Sequence, residues 1–190
     1  MKVVCIYGSP RPKGNSATIA NWILEKGQQR GNDIQSYYLN KLVYRGCQAC
    51  MACKMKIEQC VVNDDLTDVL DAIRHTDVLI MATPIYFADI TAQLKGLVDR
   101  MYSYFVPDFL TNPKPSRLSP GKKLIFIQTQ AQPSQEMFLD VFQKYELFLR
   151  MMGFTEIHHM RGCGVRDLGE VDARNDIHDK AIEIAQLVFG

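Results

Sequence analysis

Lys2-Val-Val-Cys-Ile-Tyr7 runs directly into Gly8-Ser-Pro-Arg-Pro-Lys-Gly-Asn-Ser16 and then into a helical pattern that reaches about Gln29. After Lys2, the run Val3–Tyr7 is apolar and largely β-branched without alternation, which predicts a strand buried on both faces. After the polar loop, Ile19, Ile23 and Leu24 recur at helical spacing, and Gly27 and Gly31 stand near the end of the pattern. A buried strand, a polar turn and an amphipathic helix in succession open a parallel sheet with crossover helices.

The same alternation continues outward. Ile34–Leu39 reads as a second strand, and Asp64 or Asp65 as the cap of a helix through Leu66, Val69, Leu70 and Ile73. Asp77–Ala82 is a third strand, stopped by Thr83-Pro84. Thr91–Tyr104 is a helix, and Pro107–Gly121, with four prolines, is a loop long enough to be a lid, a subunit-crossing arm or a flexible segment. Lys123–Thr129 is a fourth strand, Gln135–Met152 a helix ended by Gly153, Thr155–Met160 a fifth strand and Ala173–Phe189 the last helix. Five strands alternating with helices predict an α/β, doubly wound, flavodoxin-like parallel sheet in the order 2-1-3-4-5, with helices on both faces and residues 1–190 in one domain. In such a sheet the ligand lies beyond the carboxyl ends of the strands, where the first and third part. Three loops are therefore expected to carry function: those after Tyr7, Ala82 and Gln128.

Composition narrows the classes. The 190 residues carry a net charge of +1 with scattered basic side chains, which argues against nucleic-acid binding. No stretch has the apolar length of a membrane span, and the first apolar run is too short for a signal peptide. A cytoplasmic protein is expected, and in a reducing compartment its six cysteines suit metal or redox chemistry better than disulfides. Cys47, Cys50, Cys53 and Cys60 put four thiols within fourteen residues, a C-x2-C-x2-C spacing with a fourth shortly after. The residues alone leave three readings open: a [4Fe–4S] cluster, bare thiols on a loop, or zinc. Cys5, in the first strand, reads as a small core residue.

The loop Gly8–Ser16 joins a strand to a helix N-terminus, where free N–H groups and the helix dipole favour an anion. Ser9, Asn15 and Ser16 add donors, and Arg11 and Lys13 add charge. Neither a dinucleotide nor a Walker-type motif is present, and no acidic residue closes the second strand, so the loop suits a terminal phosphate monoester, with an ordinary polar turn capped by Ser16 as the alternative. Thr83-Pro-Ile-Tyr-Phe87 brings aromatic side chains beside backbone amides, suited to a flat heteroaromatic ring. The polar Thr129-Gln-Ala-Gln-Pro-Ser134 is placed to touch the far side of that ring. The four histidines, scattered at expected element ends, carry no assigned chemistry, and Lys95 with Asp99-Arg100 reads as a solvated helix face.

Gly8-Ser-Pro-Arg with Gly14-Asn-Ser16, Pro84-Ile-Tyr-Phe87, and Ala92-Gln-Leu-Lys95 with Asp99-Arg100 together resemble the NADPH-dependent FMN reductase branch of the flavodoxin-like proteins. The cysteine run followed by Val61-Val62-Asn63-Asp64-Asp65 is similar to the iron–sulfur flavoproteins of that branch. The resemblance implies FMN as cofactor and NAD(P)H as co-substrate. By it, Ser9, Arg11, Asn15 and Ser16 match the phosphate loop, and Pro84, Ile85, Tyr86 and Phe87 the isoalloxazine edge. Thr129 begins the third flavin loop, although Gln130-Ala-Gln-Pro133 departs from its glycine-rich form. Cys47, Cys50, Cys53 and Cys60 match cluster ligands. A homo-oligomer is implied as well. The segment Arg161–Asn175 matches no motif. The leading expectation is an FMN-binding oxidoreductase with no catalytic acid or base among its side chains. An electron carrier between redox protein partners, using FMN and a cluster, is the alternative, and a zinc-pinned binding module a third.

Overall fold

The computed structural model describes residues 1–55 and 57–190; Lys56, inside the cysteine run, lies outside the described residues. One parallel sheet holds five strands in the order β2-β1-β3-β4-β5. They are β1 (Lys2–Tyr7), β2 (Asp33–Tyr38), β3 (Val78–Pro84), β4 (Lys122–Gln130) and β5 (Phe154–Cys163). The helices are α1 (Asn15–Gln29), the single turn α2 (Ala52–Met55), α3 (Leu66–His75), α4 (Ala92–Arg100), α5 (Leu139–Met151) and α6 (Asn175–Phe189). This is the expected flavodoxin-like arrangement. No helix among the described residues is long and apolar enough to cross a membrane.

The two-residue period of the strands divides the core cleanly. Val4 and Ile6 of β1, Leu79 and Met81 of β3, and Leu124 and Phe126 of β4 face α3, α4 and α5. Val3, Cys5 and Tyr7, with Val78, Ile80 and Ala82 and with Ile125 and Ile127, face α1 and α6. Both faces of the central strands are covered, which is why these segments read as continuous apolar runs. Burial pushes the Cys5 thiol up to about 12, as befits a core residue rather than a reactive one.

Several boundaries differ from the sequence reading for identifiable reasons. α4 stops at Arg100, and Met101–Tyr104 tighten into a 3₁₀ turn. α5 begins at Leu139 rather than Gln135, because Phe138 sits in the left-handed region (φ 62°) and Arg161 Nη2 takes the Met137 carbonyl at 2.6 Å. β5 runs on to Cys163, three residues past Met160. His159 lies inside that strand, tilted against the Phe142 ring at 4.5 Å, and burial drives it down to about 4. The proline-rich connection before β4 is stitched at its base, with Val106 N–H donating to the Pro115 carbonyl at 2.9 Å and Arg117 N–H to the Tyr104 carbonyl at 2.7 Å. Arg117 Nη1 also donates to the Ser103 carbonyl at 2.9 Å. Its tip, around Leu110, is exposed.

Ile80, at the centre of β3, is completely buried. Ile80→Ala is expected to destabilise the protein by about 2–5 kcal/mol in urea unfolding; a loss below about 0.5 kcal/mol would contradict this placement of the core.

Candidate functional site

The carboxyl ends of β1 and β3 are tied before they part. Gly8 N–H donates to the Ala82 carbonyl at 2.8 Å, and Thr91 Oγ1 donates to the Gly8 carbonyl at 2.7 Å while accepting from Leu94 N–H at 3.2 Å as the N-cap of α4. A Cβ at Gly8 would stand 3.0 Å from Leu94 Cβ, so the close approach needs glycine.

Beyond this tie the loop curls back on itself. Arg11 N–H donates to Ser9 Oγ at 3.0 Å, and Gly14 N–H to the Arg11 carbonyl at 3.0 Å. The N–H groups of Asn15 and Ser16 open α1 and find no partner among the described residues. Ser9, Arg11, Asn15 and Ser16 therefore line a cleft whose floor is a helix N-terminus. Pro84, Ile85 and Tyr86 form a second wall and Thr129, Gln130 and Ala131 a third. Ile85 N–H donating to the Thr129 carbonyl at 2.7 Å locks these two walls together. The cleft lining includes no histidine, cysteine or carboxylate.

Phe87 stands apart from that cleft. Tyr86 and Asp89 exchange backbone hydrogen bonds at 2.9 and 3.1 Å, which leaves Phe87 (φ 47°) and Ala88 (φ 64°) as the left-handed centre of a tight turn. Such turns favour Asn-Gly, so Phe-Ala here holds strain, and the Phe87 ring is thrust into solvent.

A fourth wall was not legible in the sequence. Val165, Arg166 and Leu168, just after β5, close the cleft over the Gly8–Ser16 loop. Asn15 holds this clasp with both ends of its amide: Nδ2 donates to the Asp167 carbonyl at 2.9 Å, and Oδ1 accepts from Val171 N–H at 3.3 Å. Arg11 Nη1 adds a bond to the Arg166 carbonyl at 3.2 Å. The one signal for it was the pair Gly164 and Gly169, both left-handed (φ 74° and 81°), which bracket the turn.

The four cysteines line a separate cavity of about 240 Å³, with Asp99, Arg100 and Tyr102. All four are free; Cys47 and Cys50 are exposed, Cys53 and Cys60 half-buried. Burial pushes the Cys53 thiol up, the Lys54 charge pulls it down, and the other three thiols push it up again, so Cys53 lies within electrostatic reach of each of them. No three His, Cys, Asp or Glu side chains among the described residues are gathered tightly enough to hold one metal ion. Ala49 (φ 51°) and Met51 (φ 58°) are left-handed on either side of Cys50. Kinks of this kind turn backbone N–H groups inward at anion and iron–sulfur sites.

Basic side chains hold the loop in place. Lys54 Nζ donates to the Tyr102 and Phe105 carbonyls, each at 2.6 Å, and lies 3.9 Å over the Tyr102 ring. Arg74 Nη2 donates to the Glu58 carbonyl at 3.1 Å. Arg100 is not on a solvated face: it is buried against Asp64, and only the Lys95–Asp99 pair lies in water. Asp64 caps α3 one residue early, accepting from Leu66 N–H at 3.1 Å, while the Asp65 carboxylate accepts from Val43 N–H at 2.7 Å. Burial alone would push the Asp64 carboxyl up, but the Arg100 and backbone hydrogen bonds outweigh it and hold it below the usual range.

The sheet order and the loops that part at its switch point are those of a flavodoxin-like fold. The chain belongs to the NADPH-dependent FMN reductase family, whose model matches residues 1–156. Among curated proteins it is 35% identical over 100 residues to an iron-sulfur flavoprotein of Methanosarcina thermophila, covering 53% of this chain and 52% of that one. It is 33% identical over 104 residues to an iron-sulfur flavoprotein of Archaeoglobus fulgidus, covering 55% and 47%. The chain thus spans about half the length of the curated relatives it matches. Solved structures with the same fold include an NAD(P)H:quinone oxidoreductase from Methanothermobacter marburgensis (TM-score 0.76, 14% identity, 100% of this chain and 98% of that one). An FMN-dependent NADH-azoreductase from Bacillus anthracis is similar (TM-score 0.75, 14% identity, 100% and 99%).

Asn15→Ala removes two bonds to the clasp and is expected to raise amide hydrogen exchange across residues 165–172 by about tenfold, leaving the sheet protected. Unchanged exchange there would contradict the role given to Asn15.

Proposed function

We propose that this protein is an FMN-dependent oxidoreductase whose cofactor phosphate sits on Ser9, Arg11, Asn15 and Ser16. The carrying observation is the convergence of a helix N-terminus, two hydroxyls and a guanidinium at the floor of one cleft. Ser16 and the free N–H groups of Asn15 and Ser16 meet the phosphate. Asn15 acts through the clasp it holds, since its side chain is already engaged there. Pro84, Ile85, Tyr86 and Thr129 border the isoalloxazine, whereas Phe87, expected beside them, stands outside the cleft with its ring in solvent. Bound FMN supplies acceptance of a hydride and release of electrons singly or in pairs. The chain's part is to hold the phosphate and present the ring. A nicotinamide donor fits the family.

The four-thiol cavity favours a second redox centre over a single zinc ion. Structural zinc sites usually draw their ligands from two separated pairs, whereas Cys47, Cys50 and Cys53 form one tight triplet with Cys60 shortly after. A cluster offers one iron to each cysteine and accepts a wider spacing, and four thiols lining one cavity suit it. Cys47, Cys50, Cys53 and Cys60 would hold it, and it would supply one-electron steps toward a redox protein partner.

Ser16→Glu places a negative charge against the phosphate and is expected to weaken FMN binding more than about tenfold, or ~1.4 kcal/mol, while FAD binds worse than FMN to the parent. Full affinity in the variant, or equal affinity for both flavins, would move the phosphate elsewhere. Under anaerobic reconstitution the parent is expected to take up iron and sulfide with absorbance beyond the flavin bands, and Cys50→Ser to lose most of it. Equal small uptake by both would leave a plain FMN reductase.

A further inference from the structure

Arg100 ends α4 with its residue only 1% exposed, where both ends of the cysteine run return to the helix. Nη1 donates to the Asp64 carboxylate at 2.5 Å and to the Arg45 carbonyl at 3.3 Å, and Nη2 to the Val62 carbonyl at 2.7 Å. Residues 45 and 62–64 bracket Cys47–Cys60, so one guanidinium fork closes the base of the loop. Arg100 is also part of the wall of the cavity that the four thiols line. Its Nε is buried with no hydrogen-bond partner among the described residues. A buried N–H on a charged group is costly to leave unpaired. Arg117 and Arg161 share this feature, but neither lines the cysteine cavity.

We propose that Arg100 is the positioning residue of the cysteine site. Its fork holds the thiols around one cavity before any metal arrives, and its fixed charge offsets the negative charge of a thiolate-held centre. This rests on the reading of the cavity as an iron–sulfur site. The charges around it fit. Asp64, the carboxylate paired with Arg100, is shared with the Arg45 and Leu66 N–H groups. Asp99, also at the cavity, is paired with Lys95 at 2.5 Å. Lys54 stands beside Cys53 as a second cation. The left-handed Ala49 and Met51 line the same cavity. A lysine at position 100 would keep the charge but not the fork, whose separate arms reach Asp64 and Val62.

Parent, R100Q and R100K are compared metal-free by hydrogen exchange and after anaerobic reconstitution with iron and sulfide. In R100Q, exchange across residues 46–62 is expected to rise about tenfold and iron and sulfide uptake to fall about tenfold. The midpoint potential of its residual centre should be more negative than the parent's. R100K should return that potential toward the parent value while the loop still exchanges fast. Parent-like exchange, uptake and potential in R100Q would overturn the proposal. A parent that binds no iron would overturn the iron–sulfur reading and the proposal with it, even if the R100Q loop loosens. Should R100Q lose its cooperative melt, R100K decides: loop exchange and uptake equal to the parent's would overturn the role of the fork.

Discussion

Crossovers between parallel strands are right-handed, and from that constraint the site of this protein follows. From β1 the chain moves one way to β2 through α1 and then the other way to β3 through α3, so the two connections must cover opposite faces. The loops leaving β1 and β3 therefore diverge, and a cleft opens between them at the carboxyl edge. The Gly8–Ala82 and Thr91–Gly8 hydrogen bonds fix the mouth of that cleft. The third loop is positioned through Ile85 and Thr129, and the clasp after β5 through Asn15. The free N–H groups at the N-terminus of α1 then face into that cleft, where they favour an anion.

Irregular loops at such an edge need their backbone groups satisfied without a sheet or helix ladder. Here buried or half-buried guanidiniums do much of this. Arg117 takes carbonyls of the turn after α4, Arg161 those of the third loop, and Arg100 those at the base of the cysteine loop. Among the described residues, the non-glycine left-handed Ala49, Met51 and Phe138 fall in these same loops, and Phe87 and Ala88 in the loop after β3. Strain and its restraint are thus concentrated where a ligand would bind, while the strands beneath are regular. Removing one partner of a buried pair such as Arg100–Asp64 typically destabilises by about 3–5 kcal/mol. Such loops are therefore sensitive to single substitutions that an exposed pair like Lys95–Asp99 would tolerate.

The strands and their order were legible because central parallel strands are apolar on both faces, as Val78–Ala82 and Leu124–Ile127 show. The walls of the cleft were legible from the loop positions that this order implies. What escaped was set by side chains that act far from their own place in sequence. Arg100 looked solvated because its i,i+4 surroundings are charged, yet its partner Asp64 lies on another element. The clasp at Val165–Leu168 escaped because it is held by Asn15, about 150 residues earlier, and no local periodicity records such a bond. Phe87 read as part of an aromatic wall, and only the left-handed turn geometry reveals that its ring faces solvent.

The central claim is that the phosphate of FMN sits at the N-terminus of α1 with the ring against Tyr86. A crystal structure of the FMN complex tests it most directly. The expected result is a phosphate within hydrogen-bond distance of the Asn15 and Ser16 N–H groups and Ser16 Oγ, and the isoalloxazine bordered by Pro84, Tyr86 and Thr129. A phosphate bound away from Ser9–Ser16, or a ring seated anywhere but the β1–β3 switch point, would contradict it.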